Sequence, residues 1–183
     1  MKKKHVCIRY FVVLLLLALV MACASTPKQE TAGQYVDDSV ITTKVKARLA
    51  EDSVLKSFQI NVKTYKGVVQ LSGFVDSQMT IDKAGQIAGV VEGVKSVKND
   101  LIVSAPKKES AGEYVDDSVI TTKVKALLAK DDVLKSFEIN VKTYKGVVQL
   151  SGFVDSQMTI DKAGQIAGGV EGVKSVKNDL LVK

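Results

Sequence analysis

Ile60-Asn61-Val62-Lys63-Thr64-Tyr65-Lys66-Gly67-Val68-Val69-Gln70-Leu71-Ser72-Gly73-Phe74-Val75 reads as two strands joined by a tight turn. Phe58, Ile60 and Val62 alternate with Gln59, Asn61 and Lys63, the period-two pattern of a half-buried strand. Thr64-Tyr65-Lys66-Gly67 supplies the turn, with Gly67 free to take positive φ. Val68 to Val75 is the return strand, with Val69 and Leu71 on one face. Gly73 within it allows a bulge or a close backbone approach.

Helical patterns flank this hairpin. Upstream, Ile41, Val45 and Leu49 recur at helical spacing, which predicts an amphipathic helix over 39–51. Asp37-Asp38-Ser39 offers N-cap candidates and acidic first-turn residues that suit the helix dipole. Downstream, Asp76-Ser77 caps a second helix whose apolar positions are Ile81, Ala84, Ala88 and Val91. Gly93 is expected to end it. Val97, Asn99, Leu101 and Val103 then form a last alternating strand. The order α-β-β-α-β predicts the α+β class: a small three-stranded sheet with two helices on one face.

The whole unit is written twice. Tyr35-Val36-Asp37-Asp38-Ser39-Val40-Ile41 returns as Tyr114-Val115-Asp116-Asp117-Ser118-Val119-Ile120, an offset of 79. Between 32–103 and 111–182 only seven positions differ: Gln34/Glu113, Arg48/Leu127, Glu51/Lys130, Ser53/Asp132, Gln59/Glu138, Val90/Gly169 and Ile102/Leu181. Such identity points to a recent duplication. The structural glycines Gly67, Gly73 and Gly93 therefore have counterparts in Gly146, Gly152 and Gly172. A short polar stretch with Pro106 separates the copies.

The net charge of +6 suggests a nucleic-acid ligand until its distribution is read. Lys2, Lys3, Lys4 and Arg9 lie in the first ten residues, and no acid precedes Glu30. Without those four, 22 basic residues face 20 acidic ones, too even a balance for a phosphate-seeking field. The basic segment is followed by an apolar run, Tyr10 to Val20, too short for a comfortable membrane span and suited to a signal peptide. Val20-Met21-Ala22-Cys23 after it resembles the bacterial lipobox, in which cleavage precedes a Cys that becomes acylated. The acyl chains on such a Cys give a lasting membrane anchor, each buried methylene contributing about 0.8 kcal/mol. Ala24, rather than Asp, follows Cys23, which by the same resemblance directs the protein to the outer membrane, facing the periplasm. The expected organisation is thus signal peptide 1–22, lipidated tether 23–33, first domain 34–103, linker 104–112 and second domain 113–183.

Each repeat resembles the BON domain. The resemblance is carried by Gly67-Val68-Val69-Gln70-Leu71-Ser72-Gly73-Phe74-Val75-Asp76 and by Val91-Glu92-Gly93-Val94-Lys95-Ser96-Val97-Lys98-Asn99, with Ala84 and Ile87-Ala88 between them. The second copy repeats the pattern from Ile139 to Asn178. With the lipobox, the chain is similar to dual-BON outer-membrane lipoproteins. That resemblance implies no catalytic activity and no cofactor, a role in envelope integrity under osmotic or other stress, and binding to anionic phospholipid. The alternative is a protein-binding or chaperone-like module for envelope proteins.

The inventory of reactive side chains agrees with a non-enzyme. The only His is His5, inside the signal, and Cys7 leaves with it. Cys23 is then the sole Cys of the mature chain, so neither a Ser–His or Cys–His pair nor an imidazole–thiolate metal site can be built. Asp37-Asp38 and Asp116-Asp117 read as helix caps. Gly85, Gly89 and Gly93 stand four apart and suit either a close helix or lipid contact or tight helix-on-sheet packing.

One position separates the copies by chemistry. Seven residues from Ile41 is about 20° off its direction, so position 48 is expected within the apolar stripe of its helix. Arg48 occupies it in the first copy and Leu127 in the second. Lys44 and Lys46, and likewise Lys123 and Lys125, flank the stripe. An apolar ridge bordered by lysines suits an anionic membrane surface. The other reading is that Leu127 fills core while the Arg48 stem reaches to water. Net charge cuts mildly the other way, at +1 for 34–103 and −1 for 113–182.

Overall fold

A carboxylate and a two-residue turn set the geometry of each repeat. The computed structural model describes residues 32–104 and 111–183, with side chains from Asp38 and Asp117 onward in the two copies. Helix α1 spans Ala32–Glu51, strand β1 Asn61–Tyr65 and strand β2 Val68–Val75. The turn between the strands has Lys66 at φ 51 and Gly67 at φ 80, the left-handed pair that matches strand twist. Asp38 was expected as a cap at the start of α1. The helix instead begins at Ala32, and the Asp38 carboxylate accepts from the backbone N–H groups of Lys66 (2.6 Å) and Gly67 (2.8 Å). Asp117 does the same for Lys145 and Gly146. The acid, inside the helix rather than at its head, thus satisfies turn amides that the ladder leaves open.

Helix α2 covers Gln78–Gly89 and strand β3 Ser96–Val103. Ser77 caps α2, its side chain accepting from the Thr80 N–H. The helix ends at Gly89, earlier than the expected stop at Gly93. Gly93 lies instead in the following loop at φ 90, where an added Cβ would stand 2.9 Å from the Ile41 side chain. Val91 is buried although it is outside the helix, so the apolar spacing runs on past the last turn.

The sheet order is β1-β2-β3, with β1 antiparallel and β3 parallel to the central β2. Ile41, Val45 and Leu49 of α1 pack with Ala84 and Ala88 of α2 on Val62, Val69, Leu71, Val75 and Leu101 of the sheet. Gly85 and Gly89 serve helix-on-sheet packing: a Cβ on Gly85 would lie 2.9 Å from the Asn99 amide, and one on Gly89 would touch Val97. The second copy repeats this in α3 (Ala111–Lys130), β4 (Asn140–Tyr144), β5 (Val147–Val154), α4 (Gln157–Gly168) and β6 (Ser175–Val182).

Strand β1 is shorter than its alternation suggests. Pairing stops at Asn61↔Ser72, leaving Phe58 and Ile60 outside the strand. Gly73, at φ 133, is the reason: a Cβ there would lie 2.8 Å from the Gln59 carbonyl oxygen. Its N–H donates instead to Gln149 of the other repeat at 2.8 Å.

That bond belongs to an interface between the sheets. Residues Ala32–Lys183 form one compact unit, in which the sheet faces turned away from the helices meet each other. Gln70 and Gln149 are 1% exposed, as are Ser72 and Ser151. The Gln70 amide donates to the Asp100 carboxylate (2.9 Å) and the Asp179 carbonyl (2.6 Å), and its oxygen accepts from the Gly152 N–H (2.9 Å). Gln149 repeats the pattern with Asp179, the Asp100 carbonyl and Gly73. Ser72 and Ser151 hydroxyls meet at 2.7 Å. Tyr65 packs on Phe153 and Phe74 on Tyr144, both with ring centroids 5.4 Å apart. The repeats are thus joined by a pseudo-two-fold interface with a polar, fully hydrogen-bonded centre and aromatic flanks.

Candidate functional site

The lysines singled out by sequence lie on the exposed sides of α1 and α3. Lys44 pairs with Glu92 at 3.2 Å, and Lys123 with Glu171 at 3.8 Å, each beside the loop that carries Gly93 or Gly172. Lys123 also lines a cavity of about 420 Å³ together with Asp117, Lys145 and Lys174. Among the described residues no carboxylate pairs with Lys46, Arg48 or Lys125.

Position 48/127 falls outside the buried arc. Leu127 is 44% exposed and so does not fill core; Arg48 is exposed as well. The arc is centred on Val45, not on Ile41, which puts position 48 about 60° from its middle. Leu127 overhangs the gap between α3 and the end of α4. There it lines a shallow depression of about 440 Å³ with Lys130, Asp131, Gln165, Ile166 and Gly169.

Three of the seven divergent positions meet at this depression: Leu127, Lys130 and Gly169. Their counterparts are Arg48, Glu51 and Val90. The second copy has exchanged a cation, an anion and an exposed valine for an apolar side chain, a cation and an open floor. Asp131 at the rim is engaged by Lys162 at 2.8 Å, and that hydrogen bond, with others from the Leu134 and Val133 amides, holds its carboxyl below the usual range. The local character is an apolar spot bordered by lysine. Sequence reasoning found Leu127 by its helical angle but missed Lys130 and Gly169. Their signal was present, since both belong to the short set of differences between near-identical copies.

Cys23 and the expected signal segment, 1–22, lie outside the described residues. No helix among those described is long and apolar enough to cross a membrane, and none of their His, Cys, Asp and Glu groups could hold a metal ion.

The BON domain model matches residues 37–105 and 116–183. The chain is 50% identical over 151 residues to osmotically-inducible protein Y of Escherichia coli, covering 82% of this chain and 75% of that protein. It is 34% identical over 160 residues to the outer membrane lipoprotein DolP of Haemophilus influenzae (87% and 80% covered). A 21 kDa hemolysin of Actinobacillus pleuropneumoniae is 34% identical over 147 residues (80% and 74%).

Proposed function

Because the chain belongs to the BON domain family, we propose that it is a non-enzymatic envelope protein, tethered through an acylated Cys23 to the outer membrane and facing the periplasm, whose second repeat binds an anionic phospholipid surface. An outer-membrane lipoprotein and an osmotically inducible protein among the relatives support the compartment and a role in stress tolerance. The convergence of Leu127, Lys130 and Gly169 on one depression carries the reading for the second repeat. Leu127 offers apolar area to the acyl boundary, and Lys123 and Lys130 on the same helix offer charge to the headgroups, while Lys125 points to the opposite side, into the groove between the repeats.

Vesicle co-sedimentation of the Cys23→Ser chain tests it. Leu127→Asp places an anion at the contact without disturbing the core, and binding to phosphatidylglycerol-containing vesicles is expected to fall at least tenfold. Undiminished binding by a variant with native circular dichroism would sink the assignment. The exposed Met79 and Met158, each 79% accessible at the start of its helix, favour the protein-binding alternative. That reading predicts capture of unfolded envelope proteins with no dependence on lipid charge.

A further inference from the structure

The pseudo-two-fold axis makes two grooves where the repeats meet, and one substitution sets them apart. On one side Lys63 pairs with Glu138 of the second repeat. On the other side the equivalent Lys142 meets Gln59, whose side-chain oxygen accepts from it at 2.7 Å. No carboxylate pairs with Lys142 among the described residues. Its ammonium group is half-buried, and the charged group it feels is another cation, Lys125. Burial first, and Lys125 second, push the Lys142 amine below the usual lysine range.

Both lysines line a groove of about 570 Å³, walled by Phe58, Phe74 and Tyr144. The Thr143 hydroxyl accepts from Thr121 at 2.7 Å and keeps its own proton available to the groove. Two acids also line it, Asp117 and Asp76. Both oxygens of Asp117 hold the Lys145–Gly146 turn. Asp76 accepts from the hydroxyls of Ser77 and Thr80 through one oxygen, Oδ1.

We propose that this inter-repeat groove binds a small oxyanion, such as a phosphate group, between Lys142 and Lys125, with the Thr143 hydroxyl as a further donor. The bound anion supplies Lys142 with the negative charge that Glu138 supplies to Lys63 on the opposite side. A phosphate charge beside two lysines gains charge-assisted hydrogen bonds and relieves their mutual repulsion. The site is distinct from the Leu127 depression and does not depend on the membrane reading.

The molecule supplies its own controls. Gln59→Glu copies the opposite groove and gives Lys142 an internal counter-ion; Glu138→Gln removes that counter-ion from Lys63. Each change installs a residue already accommodated at the pseudo-equivalent position. Titration with inorganic phosphate at constant ionic strength, followed by ¹H–¹⁵N NMR, is expected to shift the Lys142 and Thr143 amides with one phosphate per chain. Gln59→Glu should weaken binding at least tenfold, and Glu138→Gln should add a second, equivalent site. Leu127→Asp should leave the titration unchanged, which separates this proposal from the membrane one. A parallel arm uses dihexanoyl phosphatidylglycerol below its micelle concentration. If only this lipid binds, and Gln59→Glu abolishes it, the oxyanion is a lipid headgroup. Binding of either probe that is indifferent to Gln59→Glu, or no binding of both, overturns the proposal.

Discussion

At the scale of single residues, the Asp179 carboxyl at the interface behaves unlike several surface ones. Burial raises the Asp179 carboxyl; the Gln149 hydrogen bond opposes this, and nearby Asp100 reinforces it. Asp52, Asp76, Asp131 and Asp155 are shifted the other way, each chiefly by a side-chain hydrogen bond from Lys83, Thr80, Lys162 and Thr159 respectively. The four lowered groups stabilise the fold above the unfolded carboxyl pKa, and that stability is lost as pH falls through their depressed values. Asp179 has the opposite sign. It binds its proton more tightly folded than unfolded, so its contribution is full below the unfolded pKa and is lost as pH rises through the raised value. Asp179→Asn, which keeps an oxygen for Gln149, is therefore expected to raise the melting temperature near neutral pH. Its advantage should vanish below the unfolded carboxyl pKa, where wild-type Asp179 is protonated. A melting-temperature difference independent of pH would refute this account. Nothing in the sequence marks Asp179, because it lies on a sheet face that only the folded chain covers with the other repeat.

At the scale of elements, most of each repeat was legible and the errors share a cause. The hairpin, the Ser77 cap, the central strand and the last strand follow from period, turn chemistry and capping. The misplacements arose where tertiary contact overrides local pattern. Asp38 has the chemistry of a cap, but the turn of a distant hairpin competes for its oxygens. Val91 keeps helical spacing after the helix has ended. Phe58 and Ile60 keep the strand's alternation after Gly73 has turned its N–H out of the ladder. Position 48 falls inside the apolar stripe only if Ile41 is its centre, whereas the buried arc is centred on Val45. The cap is the element feature that can be tested most simply. Ser77→Ala removes the acceptor for the Thr80 N–H and the hydroxyl beside Asp76, and should cost about 1 kcal/mol. Ser156→Ala should cost the same, since its surroundings are repeated. Chemical denaturation measures both; a large inequality would show that the two helices do not carry equivalent caps.

At the scale of the whole molecule, the sheet-to-sheet interface was not legible. Gln70 and Ser72 read as the solvent side of an alternating strand. The available signal was weak: that side carries Val68, Gln70, Ser72 and Phe74, with no charge among them. Sequence alone does not say that another sheet covers such a face. Because Gln149 holds the Gly73 N–H and the Asp100 carbonyl of the first repeat, its loss should be felt there as well. Gln149→Ala leaves buried polar groups without partners at about 1–3 kcal/mol each. Hydrogen exchange should show loss of protection in β2 and β3 as well as β5, and denaturant unfolding should remain one transition. Unchanged protection in the first repeat would mean that the domains fold and open independently.

The substitution of Gln59 by Glu138 on opposite sides of the axis has a consequence for how such a protein can change. In a dimer of identical chains every mutation is made twice, so the two grooves could only both hold Glu or both hold Gln. Joining the copies in one chain removes that restriction. One groove can keep its internal ion pair for stability while its mate, a single codon away from the same state, is released to accept something from outside.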